Sequence, residues 1–112
     1  MINYNNKTFK PKSNSKNGET SGETIFEYKQ DGQIITSEYK GGQIVKGHLI
    51  GIVDKNGNIK MRYHHINIAG ELMTGVCESS PEILADGKIR LYEKWRWTSG
   101  DCTEGESLLE EC

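Results

Sequence analysis

The 112 residues are 34% apolar and 27% charged, enough for one domain around one core and too few for a two-domain enzyme. Fourteen basic residues against sixteen acidic ones leave a net charge of −2, which argues against nucleic acid, whose partners gather a clustered basic surface. Three cysteines at wide spacing, Cys77, Cys102 and Cys112, form neither a disulfide framework nor a zinc signature and imply a reducing compartment.

The start of the chain is polar, without the apolar run of a signal peptide, and the longest aliphatic stretch, Leu49 to Val53, is too short to cross a bilayer. These features predict a cytoplasmic protein with no membrane partner. Charge is uneven along the chain. Residues 1–21 hold four lysines against Glu19 alone, and residues 101–112 form an acidic C-terminal segment with five acids and no base. Such blocks usually read as solvated tails.

A first strand is expected near 2–9. The Ser-, Asn-, Lys- and Gly-rich stretch 10–22 reads as a mobile loop or arm. Beyond it a short phrase recurs: Asp31-Gly32-Gln33-Ile34, Gly41-Gly42-Gln43-Ile44, Asn56-Gly57-Asn58-Ile59, Ala69-Gly70-Glu71-Leu72 and Asp86-Gly87-Lys88-Ile89. Each is a turn, a glycine suited to positive φ, then a polar and an aliphatic residue that start a strand. The phrases delimit strands at 23–30, 33–39, 43–53, 58–68, 71–80 and 88–97, with a last segment near 105–111. No long window keeps a helical stripe, so helix is confined to short pieces, the best being Ser80 to Ala85 behind Pro81. A meander of this length has unpaired edges, and curling until they meet removes them. The predicted fold is therefore all-β, a single domain over 1–112. Its form is an antiparallel up-and-down meander in a small closed or nearly closed calycin-like barrel.

The facing of side chains is clearest on 88–97, where Ile89, Leu91, Glu93, Trp95 and Trp97 alternate with charged residues and fall on the core face. Carrying that face backwards through even-length loops points Ile44, Lys46, His48, Ile50 and Ile52 inward, then Ile59, Met61, Tyr63, His65 and Asn67, then Leu72, Thr74, Val76 and Glu78. At Asp31-Gly32 two registers remain. A three-residue loop turns Phe26, Tyr28, Ile34 and Glu38 inward, and a two-residue loop turns Phe26, Tyr28, Ile35 and Tyr39 inward.

Ionisable side chains at mid-strand are the anomaly, because a buried carboxylate or imidazole costs several kcal/mol unless it is paired or lines a pocket. The reading is a polar pocket with Glu93, His48, Tyr63 and His65 as contacts, Trp95 and Trp97 as stacking surface, and Arg62, His64 or Lys46 at the mouth. Its alternative is a solid barrel in which Glu93 pairs internally with a histidine or Lys46 as a plug and the tryptophans are ordinary core. No metal site or cofactor is expected: His64 and His65 face opposite sides of a strand, and the calcium-like start at Asp54 has His65 where a bidentate Glu is required. Cys77 falls on the outer face as an inert thiol. Val45, Leu49, Ile66 and Met73 are expected to point outward, a candidate homodimer face.

From Gly18 through the acidic end, and above all from Asn58 to Gly100, the chain resembles a family of small bacterial proteins that carries the automatic label N-acetylglutamate synthase. The resemblance rests on Met61-Arg62-Tyr63-His64-His65, Gly70-Glu71-Leu72-Met73-Thr74-Gly75, Pro81-Glu82-Ile83-Leu84 and Trp95-Arg96-Trp97-Thr98-Ser99-Gly100-Asp101. The label implies acyl transfer from acetyl-CoA to glutamate. It assigns no catalytic residues, and the sequence has no Gln/Arg-x-x-Gly-x-Gly/Ala loop for the cofactor's pyrophosphate. Together these observations predict a barrel that binds a small polar metabolite. The alternatives are a small proton-transfer enzyme or the labelled acyltransferase, and an interaction protein working through its outer face.

Overall fold

Alternation of buried and exposed side chains over β7 (Ile89–Trp97) places Ile89, Leu91, Glu93, Trp95 and Trp97 inside, and the same period builds the other strands. In chain order these are β1 (Lys7–Asn14), β2 (Ile25–Asp31), β3 (Ile34–Gly41), β4 (Ile44–Val53), β5 (Ile59–Asn67), β6 (Leu72–Ile83) and, after β7, β8 (Glu104–Glu111). The computed structural model describes residues 2–112. Each strand pairs antiparallel with the next, and β8 pairs with β1 to close an eight-stranded barrel. The all-β meander and its closure are as expected, but β1 lies further along than 2–9, and residues 10–14 belong to it rather than to the loop. The charged ends meet at the closing seam, where Lys7 sits 3.4 Å from Glu111 and Lys12 4.0 Å from Glu110.

Of the expected turn of helix at Ser80–Ala85, residues 80–83 are instead strand and Ala85 belongs to the hairpin turn. β6 continues through Pro81, opposite Leu91, to Ile83. Pro81 is tolerated because pairing with β5 stops at Ser79, so no ladder bond is missing on that side.

Loop parity corrects the facing of two strands. Val53 pairs with Ile59 and the Asp54 N–H bonds the Asn58 carbonyl, while Asn67 and Glu71 make the equivalent bond in the next hairpin. Both loops thus enclose three residues, with Gly57 and Gly70 at φ 85° and 78° supplying the left-handed position. An odd loop keeps residues of like parity on one face. Gly47, Leu49, Gly51 and Val53 therefore point inward on β4, and Met73, Gly75, Cys77 and Ser79 do so on β6. Lys46, His48, Ile50, Ile52, Leu72, Thr74, Val76 and Glu78 face out, contrary to expectation. Ile44 stays inside because a bulge between it and Lys46 resets the phase. The two-residue Gly32-Gln33 loop selects Ile35 and Tyr39 as core and puts Glu38 outside.

Of the proposed outward apolar face, Val45 and Ile66 are exposed, whereas Leu49 is core and Met73 packs half-buried against it. One end of the barrel is filled by Tyr4, Phe9, Tyr28, Ile35, Ile59, Leu91 and Leu109, all but wholly buried. There the Tyr4 hydroxyl, pushed above its ordinary range by burial, donates to the Gly57 carbonyl at 2.6 Å. The other end is roofed by the loop between β1 and β2.

Candidate functional site

Three inward glycines shape the cavity wall. Gly47, Gly75 and Gly105 stand directly opposite Tyr39, Tyr63 and Trp95 on neighbouring strands, and a Cβ on each would run into the facing ring. The absent side chain lets each ring lie flat across the adjacent strand. Trp97 meets Tyr63 and Trp95 edge-on, with centroids 5.7 and 5.5 Å apart, and Tyr63 stacks over His65 at 6.4 Å and 10°. Leu49, Met61 and Cys77 complete the apolar part of the lining.

Glu93 forms the polar floor. It lies opposite Ser79 on β6 and Ser107 on β8, so one row across three strands carries the group. The Ser79 hydroxyl donates to Oε2 at 2.7 Å and the Ser107 hydroxyl to Oε1 at 3.1 Å. Burial pushes the Glu93 pKa up, against the two hydroxyls, which favour the anion. Glu93 is buried as expected, but its partners are serines and not a histidine or Lys46. Cys77, inward rather than outward, is also pushed up by burial and is a protonated thiol rather than a nucleophile.

The rim is built on β5. His65, with its side chain 1% exposed, sits between the Tyr39 hydroxyl, 2.9 Å from Nδ1, and Glu19 Oε1, 2.7 Å from Nε2. Desolvation lowers the His65 pKa although Glu19 works the other way, so the ring is neutral. A carboxylate only accepts, which places the proton on Nε2 and leaves Nδ1 to accept from Tyr39. The Tyr39 and Tyr63 hydroxyls are raised by burial and remain donors. Two residues on, Asn67 Nδ2 donates to Glu19 Oε2 at 3.1 Å and to Glu71 Oε1 at 3.0 Å.

Glu19 belongs to the roofing loop, which other bonds hold in place. The Trp97 indole donates to the Asn17 carbonyl at 3.0 Å, and Asn14 at the end of β1, which accepts from the Trp95 indole at 3.2 Å, donates to the Thr20 carbonyl at 3.1 Å. Asn17 in turn donates to Thr103 Oγ1 and the Glu104 carbonyl, both at 2.9 Å. Below the roof, about 50 Å³ is open to the centres of water-sized molecules, room for a few waters at roughly 10–15 Å³ each.

Residues 2–112 match the family model described as Avidin-like protein. The chain belongs to the avidin-like family. No curated protein and no solved structure matches it.

In this avidin-like barrel the expected site residues divide in two. Glu93, Tyr63, His65, Trp95 and Trp97 line one cavity. His48 and Arg62 lie on the outer surface, where His48 stacks on His64 with centroids 5.7 Å apart. The odd loop parity that turned β4 is the cause for His48, and Arg62 follows from the alternation of β5. The sequence reading missed Glu19, Asn14, Ser79 and Ser107 as lining or supporting groups. Glu19 was visible only as the one acid in residues 1–21, and the serines become meaningful only once the register sets them beside Glu93. Tyr28 was assigned to the core and is there, but its buried hydroxyl has no hydrogen-bond partner among the described residues.

Proposed function

We propose that this avidin-like barrel binds a small molecule in its interior. The ligand's flat or apolar body lies against Tyr63, Trp95 and Trp97, and a neutral hydrogen-bonding group meets Glu93 and its two serines. The observation that carries the reading is the cavity itself, which joins a buried carboxyl at the floor to a set of aromatic faces and a polar rim. Pockets of this composition, apolar with a few convergent polar groups, are the usual form of small-molecule sites. Avidin-like barrels bind small ligands such as biotin, which supports a ligand of that size class. Because the closed form holds only a few waters, the loop between β1 and β2 moves aside as the ligand enters.

The test is tryptophan emission, since both indoles line the cavity, over a panel with biotin, glutamate, acetyl-CoA and small amides. A saturable shift that Trp97→Leu and Glu93→Leu weaken at least about tenfold, the loss of one buried polar or aromatic contact, supports binding. No response from any compound, with both indoles closed to acrylamide, refutes it and leaves a solid barrel. Burial raises the Glu93 pKa, and a carboxyl shifted that way is also what a proton-transfer reaction would need. Turnover of a panel compound that Glu93→Gln abolishes would replace binding with catalysis.

A further inference from the structure

We propose that His65 and Asn67 at the barrel rim form a carboxylate-receiving site, and that Glu19 fills it as an internal stand-in for the carboxylate of the ligand. This inference rests on the binding function proposed above and names the chemical class of one end of the ligand.

The geometry is that of a two-point anion receptor. His65 Nε2 reaches Oε1 of Glu19 at 2.7 Å and Asn67 Nδ2 reaches Oε2 at 3.1 Å, so each oxygen has its own donor. Both donors stand on β5, two residues apart and facing the same way. The acceptor alone belongs to a loop. Donors fixed to the barrel and an acceptor on a connecting segment make the acceptor the replaceable member, because the donors keep their positions when it leaves.

His65 makes replacement necessary. Its side chain is 1% exposed, and its other nitrogen is engaged by Tyr39 at 2.9 Å. If Glu19 withdraws and nothing follows, a buried N–H is left without an acceptor, which proteins rarely tolerate. A second carboxylate arriving from the cavity side restores both bonds. Glu71 weakens the resident contact, since it accepts from the same Asn67 amide nitrogen at 3.0 Å and its charge repels Glu19. The loop itself does not depend on the latch. Asn14 Nδ2 holds the Thr20 carbonyl at 3.1 Å and the Thr20 hydroxyl at 3.0 Å, and Trp97 holds Asn17.

Internal occupancy lowers apparent affinity by the fraction of molecules in which the site is free. Deleting the Glu19 carboxylate therefore exposes the receptor to external anions. The experiment is an acetate titration of the full chain and of Glu19→Ala, read by the His65 ring resonances and by the emission of Trp97, 5.7 Å from that ring. Glu19→Ala is expected to bind acetate saturably, roughly ten- to a hundredfold more tightly than the parent, the range of one charge-assisted hydrogen-bond pair. Acetamide should not compete, and Glu19→Ala/His65→Phe should lose the response while retaining its far-ultraviolet spectrum.

A folded Glu19→Ala that ignores acetate, or equal acetate affinity in parent and variant, overturns the proposal. So does equal binding of acetamide. If acetate fails while neutral panel compounds still shift the tryptophans, the carboxylate site falls and interior binding stands. If acetate binds the variant but no panel compound reaches the indoles of either protein, the receptor stands and the interior pocket falls.

Discussion

Gly105→Ala tests whether the glycine–aromatic pairs shape the cavity. Gly105 faces Trp95 in the β7–β8 register, and a Cβ there would lie 2.9 Å from Cε2 and nearer still to Cζ2 and Cη2. Carbon atoms prefer separations of about 3.5–4.0 Å, so the indole must retreat by about an ångström. A retreat towards Trp97, 5.5 Å away between centroids, gives up the 3.2 Å bond to Asn14. Overpacking costs about 1–3 kcal/mol and the hydrogen bond about 1 kcal/mol. Replacing a strand glycine by alanine returns about 0.5–1 kcal/mol from the unfolded chain. The net expectation is a loss of about 2 kcal/mol, which at a urea slope of about 1–3 kcal/mol/M moves the midpoint down by roughly 1 M. The same substitution in a Trp95→Leu background should cost little, because nothing then opposes the methyl group. An unchanged midpoint in Gly105→Ala, or an equal loss in both backgrounds, would show that the ring does not depend on the glycine.

Glu93→Gln keeps the shape but removes the ionisable group, and the serine that meets the new amide nitrogen must turn its hydroxyl to accept. Since the folded pKa of Glu93 is raised by burial, the parent's stability from this group is complete below the unfolded value near 4.5 and is lost as pH rises through the folded one. The variant should gain on the parent between acid and alkaline pH in denaturation curves, and a constant difference would count against the raised pKa. His65 runs the other way. Its lowered pKa gives stability above about 6.5 that disappears as pH falls through the folded value, so His65→Phe should flatten the acid side of the profile. Tyr4→Phe removes the 2.6 Å bond to the Gly57 carbonyl and should cost about 1 kcal/mol in thermal unfolding. Tyr28→Phe removes a hydroxyl that has no partner among the described residues and should be neutral or stabilising. A thiol reagent should modify exposed Cys102 and Cys112 at once and buried Cys77 only on unfolding; rapid reaction of all three would mean that the interior is open.

Recurring glycine phrases located six of the eight strands to within a few residues, because hairpin chemistry is local and leaves its mark in a handful of adjacent side chains. The alternation on β7 likewise put Glu93, Trp95 and Trp97 inside. Helix was expected at Ser80–Ala85 because a proline suits the first position of a helical turn, and only the point at which β5 ends lets Pro81 stand in a strand instead.

What the amino-acid order determined alone was thus the meander, the turns and the inner face of any strand with strong alternation. Loop parity was a tertiary decision. One residue more or less in the Asp54–Asn58 and Asn67–Glu71 hairpins exchanges whole faces, which sent His48 outside and brought Cys77 and Ser79 in. Barrel closure brought Ser107 to Glu93, and the fold of the β1–β2 loop brought Glu19 to His65, 46 positions away. No local pattern encodes such meetings, because they depend on the sum of every register around the barrel.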